Sequence, residues 1–200
     1  MRVLWIDGCV RGTCSRTRRL AETFLDALAQ ARADVQIETA CLNELGLVPF
    51  NEETLRERDG AADFSGREFE AARQFREADL LVFAAPFWEG TFPAALHTYL
   101  EHVCVTGLTF RLTEKGYEGL CHAGRAVFLT TRGGIYESGP AVRDNHAAAF
   151  LTTVLTMLGV PRLDTVAAEG LDIEGCDVEA ALVQAERQAR DLAQRIAADR

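Results

Sequence analysis

Arg11, Arg16, Arg18 and Arg19 crowd one short segment, Asp7-Gly8-Cys9-Val10-Arg11-Gly12-Thr13-Cys14-Ser15-Arg16-Thr17-Arg18-Arg19. It runs into a helical apolar period, so its last amides are a helix's unpaired first N–H groups, and they favour an anion. Exposed cations at a helix start oppose the macrodipole by about 0.3–1 kcal/mol each, so clustering them there points to a compensating anionic ligand. A phosphate group fits. Ser15 and Thr17 add hydroxyl donors, and Gly8 and Gly12 permit close backbone approach. The plainer alternative is that Ser15 only caps a helix and the arginines form a solvated face. The spacing matches neither a Walker loop nor G-x-G-x-x-G, which favours a mononucleotide phosphate.

Two further segments hold groups suited to a flat heterocycle. Pro86-Phe87-Trp88-Glu89-Gly90-Thr91-Phe92-Pro93 follows a continuous apolar run. Its aromatics and bare amides can stack on or edge a ring while Glu89 accepts a ring N–H. Phe92 is expected in the core and Trp88 partly exposed. In Thr131-Arg132-Gly133-Gly134-Ile135-Tyr136 the paired glycines let amides face a ligand, where they would stabilise negative charge developing on a ring carbonyl. A simple tight turn is the competing explanation.

Five short apolar runs position these segments: Arg2 to Ile6, Val35 to Thr39, Leu80 to Ala85, Ala126 to Thr130 and Leu163 to Ala167. Helical periods separate them, including Arg16 to Ala29, a helix opened by Pro93, one started by Pro140 with Phe150, Leu151, Leu155 and Leu158 facing the core, and a closing helix from Val178 to Ala198. The alternation predicts an α/β protein with one flavodoxin-like, doubly wound, five-stranded parallel sheet in the order 2-1-3-4-5 and helices on both faces, a single domain over residues 1–200. Ligands of such sheets bind at the carboxyl ends of strands around the switch point, which is where the three loops lie.

Composition narrows the partners. Lys plus Arg number 21 against 30 Asp plus Glu, a net charge of -9, so the long-range field repels nucleic acid and anionic lipid. Six scattered cysteines without a C-x-x-C pair, no secretory apolar segment and no membrane-length apolar run imply a cytoplasmic protein with reduced thiols. His97, His102, His122 and His146 lack metal-ligand spacing, and no metal site is expected.

The three loops, in this order and at these intervals, resemble the FMN-dependent NADH azoreductases and the wider family of flavodoxin-like NAD(P)H quinone reductases. The carrying segments are S-R-T-R-R-L-A from Ser15, A-A-P-F-W-E-G from Ala84 and T-T-R-G-G-I from Thr130, with G-L-T-F-R-L-T-E-K-G-Y-E-G-L from Gly107 and A-E-G-L from Ala168. The resemblance implies a homodimer with FMN near the interface and ping-pong two-electron transfer from NADH or NADPH to a quinone or azo compound. It places Ser15, Arg16 and Thr17 on the FMN phosphate with Cys9 beside them; family members with a serine at the end of the first strand use it near the phosphate, where this chain has Gly8 and Cys9. Pro86, Phe87, Trp88, Glu89 and Gly90 fall along the isoalloxazine, and Thr131, Arg132, Gly133 and Gly134 at its pyrimidine edge. Glu89 departs from the Asn common in azoreductases, so quinone reduction is better supported than azo reduction. The flavin carries the chemistry and no catalytic side chain is assigned; Tyr117 and Tyr136 are the candidates that loops bring nearest.

Two other functions fit parts of the pattern. A flavodoxin-type electron carrier or FMN-binding regulatory subunit would use the same loops without turnover. Low-molecular-weight tyrosine phosphatases also place a cysteine after the first strand and a second five positions on, as Cys9 and Cys14 stand here. They need an arginine six positions after the nucleophile, where this chain has Ser15, and an Asp-Pro pair, which it lacks.

Overall fold

The computed structural model of the chain describes residues 1–199. In chain order the first half holds β1 (Arg2–Asp7), α1 (Arg16–Ala31), β2 (Gln36–Cys41), α2 (Glu52–Asp59), α3 (Glu70–Glu77) and β3 (Leu80–Ala84). The second half holds α4 (Ala94–Val103), β4 (Phe110–Thr113), β5 (Gly116–Gly119), β6 (Ala126–Thr131), α5 (His146–Met157), β7 (Leu163–Ala168) and α6 (Val178–Ala198). The main sheet has five parallel strands in the order β2-β1-β3-β6-β7. Its last two strands are the apolar runs expected as the fourth and fifth; the antiparallel pair β4-β5 intervenes in sequence.

Alternation along the strands divides the core. Val3, Trp5, Val82, Val127 and Leu129 face α1 and α6, whose Leu20, Phe24, Leu28, Leu182, Ala189 and Leu192 close that side. Leu4, Ile6, Leu81, Phe83 and Phe128 face α3, α4 and α5. Every residue of β3 is buried, as a central strand covered on both faces requires. At the edge, β2 leaves its first four residues exposed, which accounts for its alternating polar sequence. Among the described residues no helix is long and apolar enough to cross a membrane.

Three features correct the sequence reading. The β4-β5 hairpin adds two strands to the five the sequence predicts; its side chains are largely exposed, Leu112 and Tyr117 among them, so no apolar alternation marks it. The helix expected from Pro140 is broken: Pro140–Asp144 form a 3₁₀ turn, and α5 starts only at His146. Asn145 is non-helical, and the His146 amide donates to Gly90 O at 2.9 Å, so docking on the Glu89-Gly90 turn sets the helix start. Phe150, expected in the core, is half-exposed; its ring lies edge-on against Phe92 and His97 at 5.9 and 5.1 Å. The buried stripe of α5 is Ala147, Leu151 and Leu155.

Candidate functional site

A cleft opens at the carboxyl ends of β1, β3 and β6, lined by Val10 to Arg11 and Cys14 to Thr17 on one side, Pro86 to Trp88 above the central strand, and Thr131 to Gly133 on the other. The three predicted loops therefore meet around one space. Leu171 and Asp172 also line it; they follow β7, beyond the loops that the switch-point rule selects.

The first wall is built by the start of α1. Ser15 caps the helix, its hydroxyl accepting the Arg18 amide at 3.2 Å. The hydroxyl's own proton stays available, so the capping role and a ligand role are compatible. The amides of Arg16 and Thr17 donate to no acceptor among the described residues. They are the orphan donors that make a helix start an anion site. Thr17 is fully buried, its hydroxyl 2.6 Å from that of Thr131, which ties the first wall to the third.

The arginine cluster divides in two. Arg18 is pinned to the buried carboxylate of Asp7 at 3.0 Å and to Glu22 at 3.0 Å. Arg19 forms a bidentate pair with Glu179 and a further bond to Glu186 across to α6. Those two cations already have their counter-charges, which corrects the inference that all four await an anion. Arg11 and Arg16 line the cleft. Among the described residues Arg16 pairs only with Asp172, at 4.0 Å and largely in solvent, a separation worth little.

Cys9 does not stand on the cleft wall. It is buried beneath the loop, its amide donating to Asp7 Oδ1 at 3.0 Å and its thiol to Ala84 O at 3.6 Å. Burial first, and then the Asp7 charge, push its thiol pKa up. A covered, neutral thiol is no nucleophile, so the phosphatase arrangement fails at its central residue.

The second wall is aromatic. Phe87 is buried and Trp88 partly exposed, and Phe92 sits in the core. Trp88 and Thr91 exchange two backbone hydrogen bonds, 3.0 and 2.8 Å, around a two-residue turn. Glu89 has φ 45° and Gly90 φ 80°, the positive pair that a type I′ turn requires. Glu89 is the one non-glycine residue with positive φ among the described residues. Glu89 and Gly90 do not line the cleft themselves but hold the turn beside it, with their amides donating to no described acceptor.

The third wall is a polarised turn. The carbonyls of Arg132, Gly133 and Gly134 all accept from the segment after β7, from Leu171 at 3.1 Å, Asp172 at 3.0 Å and Gly170 at 3.0 Å. The amides of Gly133, Gly134 and Ile135 donate to nothing described. Carbonyls turned away and consecutive free amides make a nest for partial negative charge. The Arg132 side chain is wholly buried and bonded to Glu169 at 2.8 Å rather than extended into the cleft. Tyr136 packs on Phe87, ring centroids 4.4 Å apart. Tyr117 is exposed on the hairpin and is not among the cleft residues.

Sequence comparison agrees with this geometry. The profile of a family described as having the flavodoxin-like fold matches residues 1–193. The FMN-dependent NADH:quinone oxidoreductase 2 of Clostridium acetobutylicum is 35% identical over 183 residues, covering 90% of each chain. The FMN-dependent NADH:quinone oxidoreductase of Caldicellulosiruptor saccharolyticus is 33% identical over 184 residues, 90% of this chain and 92% of that one. Among solved structures, an azoreductase from Bacillus anthracis superposes with TM-score 0.87 at 25% identity, over 98% of this chain and 99% of its own. An FMN-dependent NADH-azoreductase from Bacillus anthracis, solved in complex with FMN, shares the fold with TM-score 0.85 at 22% identity, over 98% and 100%.

Proposed function

The chain belongs to this flavodoxin-like family, and from that membership we propose that it is an FMN-dependent NAD(P)H oxidoreductase that reduces quinones by two electrons, and azo compounds secondarily. The observation that carries the reading is the meeting, in one cleft, of free helix-start amides, an aromatic wall and a turn of unpaired amides. These match the tail, the ring and the polar edge of a flavin mononucleotide. Bound FMN would supply the two-electron chemistry.

The chain's own residues bind and orient. Arg16 and Thr17, through amides and side chains, with the Ser15 hydroxyl, hold the phosphate. Pro86, Phe87 and Trp88 bound the ring, and the Glu89-Gly90 turn holds Trp88 in place beside it. Gly133 and Gly134 set amides against the pyrimidine end, where negative charge is favoured by fixed donors. Thr131 links that wall to the phosphate end. Donor and acceptor take turns at one open face, a ping-pong order. This reading takes residues 1–200 as a single FMN-binding domain working in the cytoplasm, where its six free cysteines stay reduced. Exposed apolar side chains on α5 and the hairpin, Phe150, Leu112 and Tyr117, are the surface offered to a second copy in a homodimer.

The test is an absorption spectrum of the protein saturated with FMN and dialysed, followed by turnover with NADH and NADPH against a quinone and an azo dye. Retained flavin, bleached by the nicotinamide and restored by the quinone, is expected. A protein that keeps no flavin overturns the reading, and flavin that the nicotinamide leaves oxidised points to an electron carrier.

Glu89 supplies a second measurable consequence. An Asn at this position tolerates positive φ better than Glu and removes a carboxylate from the turn. Glu89→Asn should therefore stabilise the protein by about 1 kcal/mol, seen in thermal melts. It should also raise the midpoint potential of bound flavin, measured by equilibrium dye titration. An unchanged potential would remove Glu89 from the ring's surroundings.

A further inference from the structure

Arg132 is wholly buried, yet its Nε and Nη2 have no hydrogen-bond partner among the described residues. Its single close partner is Glu169 Oε1, at 2.8 Å; Glu137 Oε1 stands at 3.5 Å on a half-exposed side chain. The guanidinium carbon lies 5.4 Å from the centroid of Phe87, on the aromatic wall of the cleft. Desolvating such a pair is expensive, and an apolar replacement of similar volume is often as stable, so fold stability alone explains it poorly.

Glu169 does more than neutralise Arg132. The same Oε1 accepts the amide of Tyr136 at 2.8 Å, and Oε2 accepts that of Glu137 at 3.4 Å. One carboxylate thus takes up the two amides immediately beyond the free ones at Gly133, Gly134 and Ile135. The carbonyls of 132, 133 and 134 are meanwhile engaged by residues 170–172, just after Glu169. Both ends of the turn are fastened to one segment, and the free amides between them have no slack.

We propose that Glu169 is a positioning residue of the FMN site. It clamps the Arg132–Glu137 turn so that three consecutive amides, beginning with that of cleft-lining Gly133, stay unpaired, with buried Arg132 as the counter-charge that fixes the carboxylate. The inference rests on the FMN reading and adds a residue that does not line the cleft. It also assigns the two charges opposite effects on the bound flavin. Removing the Glu169 charge leaves a positive field behind the turn and favours reduction, whereas removing Arg132 leaves a negative one and opposes it.

The experiment compares full-length wild type with Glu169→Ala, Glu169→Gln and Arg132→Met by FMN fluorescence titration, circular dichroism and midpoint potential. Glu169→Ala should weaken FMN binding at least about tenfold at unchanged secondary structure, equivalent to about 1.4 kcal/mol. Glu169→Gln keeps one oxygen for Arg132 and Tyr136 and should recover most of that affinity while raising the potential; Arg132→Met should lower it. Should Glu169→Ala not fold, the potential of Glu169→Gln decides. Wild-type FMN binding with unaltered affinity in Glu169→Ala, or a Glu169→Gln potential that is unmoved or lower, overturns the inference alone. A wild type that binds no FMN overturns it together with the function it rests on.

Discussion

Replacing Arg16 and Thr17 together by Ala should weaken FMN binding at least about a hundredfold, because two hydrogen bonds to a charged phosphate, each worth about 1.5–3 kcal/mol, are lost at once. Affinity for riboflavin, which lacks the phosphate, should change by less than about threefold, since the ring walls are untouched. The double variant would then bind the two ligands almost alike. Arg19→Ala is the matched control: it also removes an arginine from the start of α1, but one whose guanidinium is held by Glu179 and Glu186. It should leave FMN affinity within about threefold and act on the α1–α6 contact instead. Fluorescence titration with both flavins checks all three proteins. Equal losses for riboflavin and FMN in the double variant, or a hundredfold loss in Arg19→Ala, would show that the phosphate is held elsewhere.

That contrast marks the limit of what the primary structure disclosed. Four arginines beside a helix start are visible in the sequence, but their partners are not. Glu179 and Glu186 lie on the last helix, and only the packing of α6 beside α1 brings them to Arg19. Asp7, by contrast, stands at the end of β1 in the same loop, and its pairing with Arg18 shows in no periodicity. The place of the cleft was readable for a different reason. Strand burial leaves a period-two or continuous apolar record, and the parallel connection then puts the loops after β1, β3 and β6 at one end of the sheet.

Arg132 shows how a correctly located residue can have its role misread. Its position beside two glycines placed it at the cleft, where its backbone does belong, but the side chain turns inward to Glu169 on the neighbouring strand's exit. Cys9 differs again. Its place after the first strand suggested a ligand contact, but the loop closes over it as Asp7 takes its amide. In both cases direction, which spacing does not encode, decided between wall and interior. Local pattern also failed at α5, where a tertiary hydrogen bond from His146 to the Glu89-Gly90 turn overrides the helix that Pro140 would begin.

The β4-β5 hairpin leaves little trace in the sequence because it buries so little of itself; Phe110 packs on the core, and a close backbone crossing at Gly119 also ties the hairpin to the body. A Cβ added at Gly119 would fall inside van der Waals contact of the backbone N and Cα of Gly159 and the carbonyl carbon of Leu158. From the other side, a Cβ on Gly159 would come within 3.0 Å of Gly119 Cα, and Gly159 already sits at φ 88°, where L side chains are strained. Just beyond, the Cys121 amide donates to Leu158 O at 3.2 Å. Backbone on both sides cannot yield as a flexible side chain would, so Gly119→Ala must lift the hairpin from the end of α5 or distort the α5–β7 connection. A loss of about 2–3 kcal/mol follows, a fall in melting temperature of about 4–12 °C for a chain of this length. Gly124→Ala, where an added Cβ meets nothing within 4 Å, should stay within about 0.5 kcal/mol of wild type. Because no hairpin residue lines the cleft, FMN affinity per folded molecule should be the same in both variants. Calorimetric melts that rank the two glycines equally would mean the crossing is looser than the backbone approach implies. A Gly119→Ala protein as stable as wild type but unable to dimerise would instead place the hairpin's restraint in the partner contact.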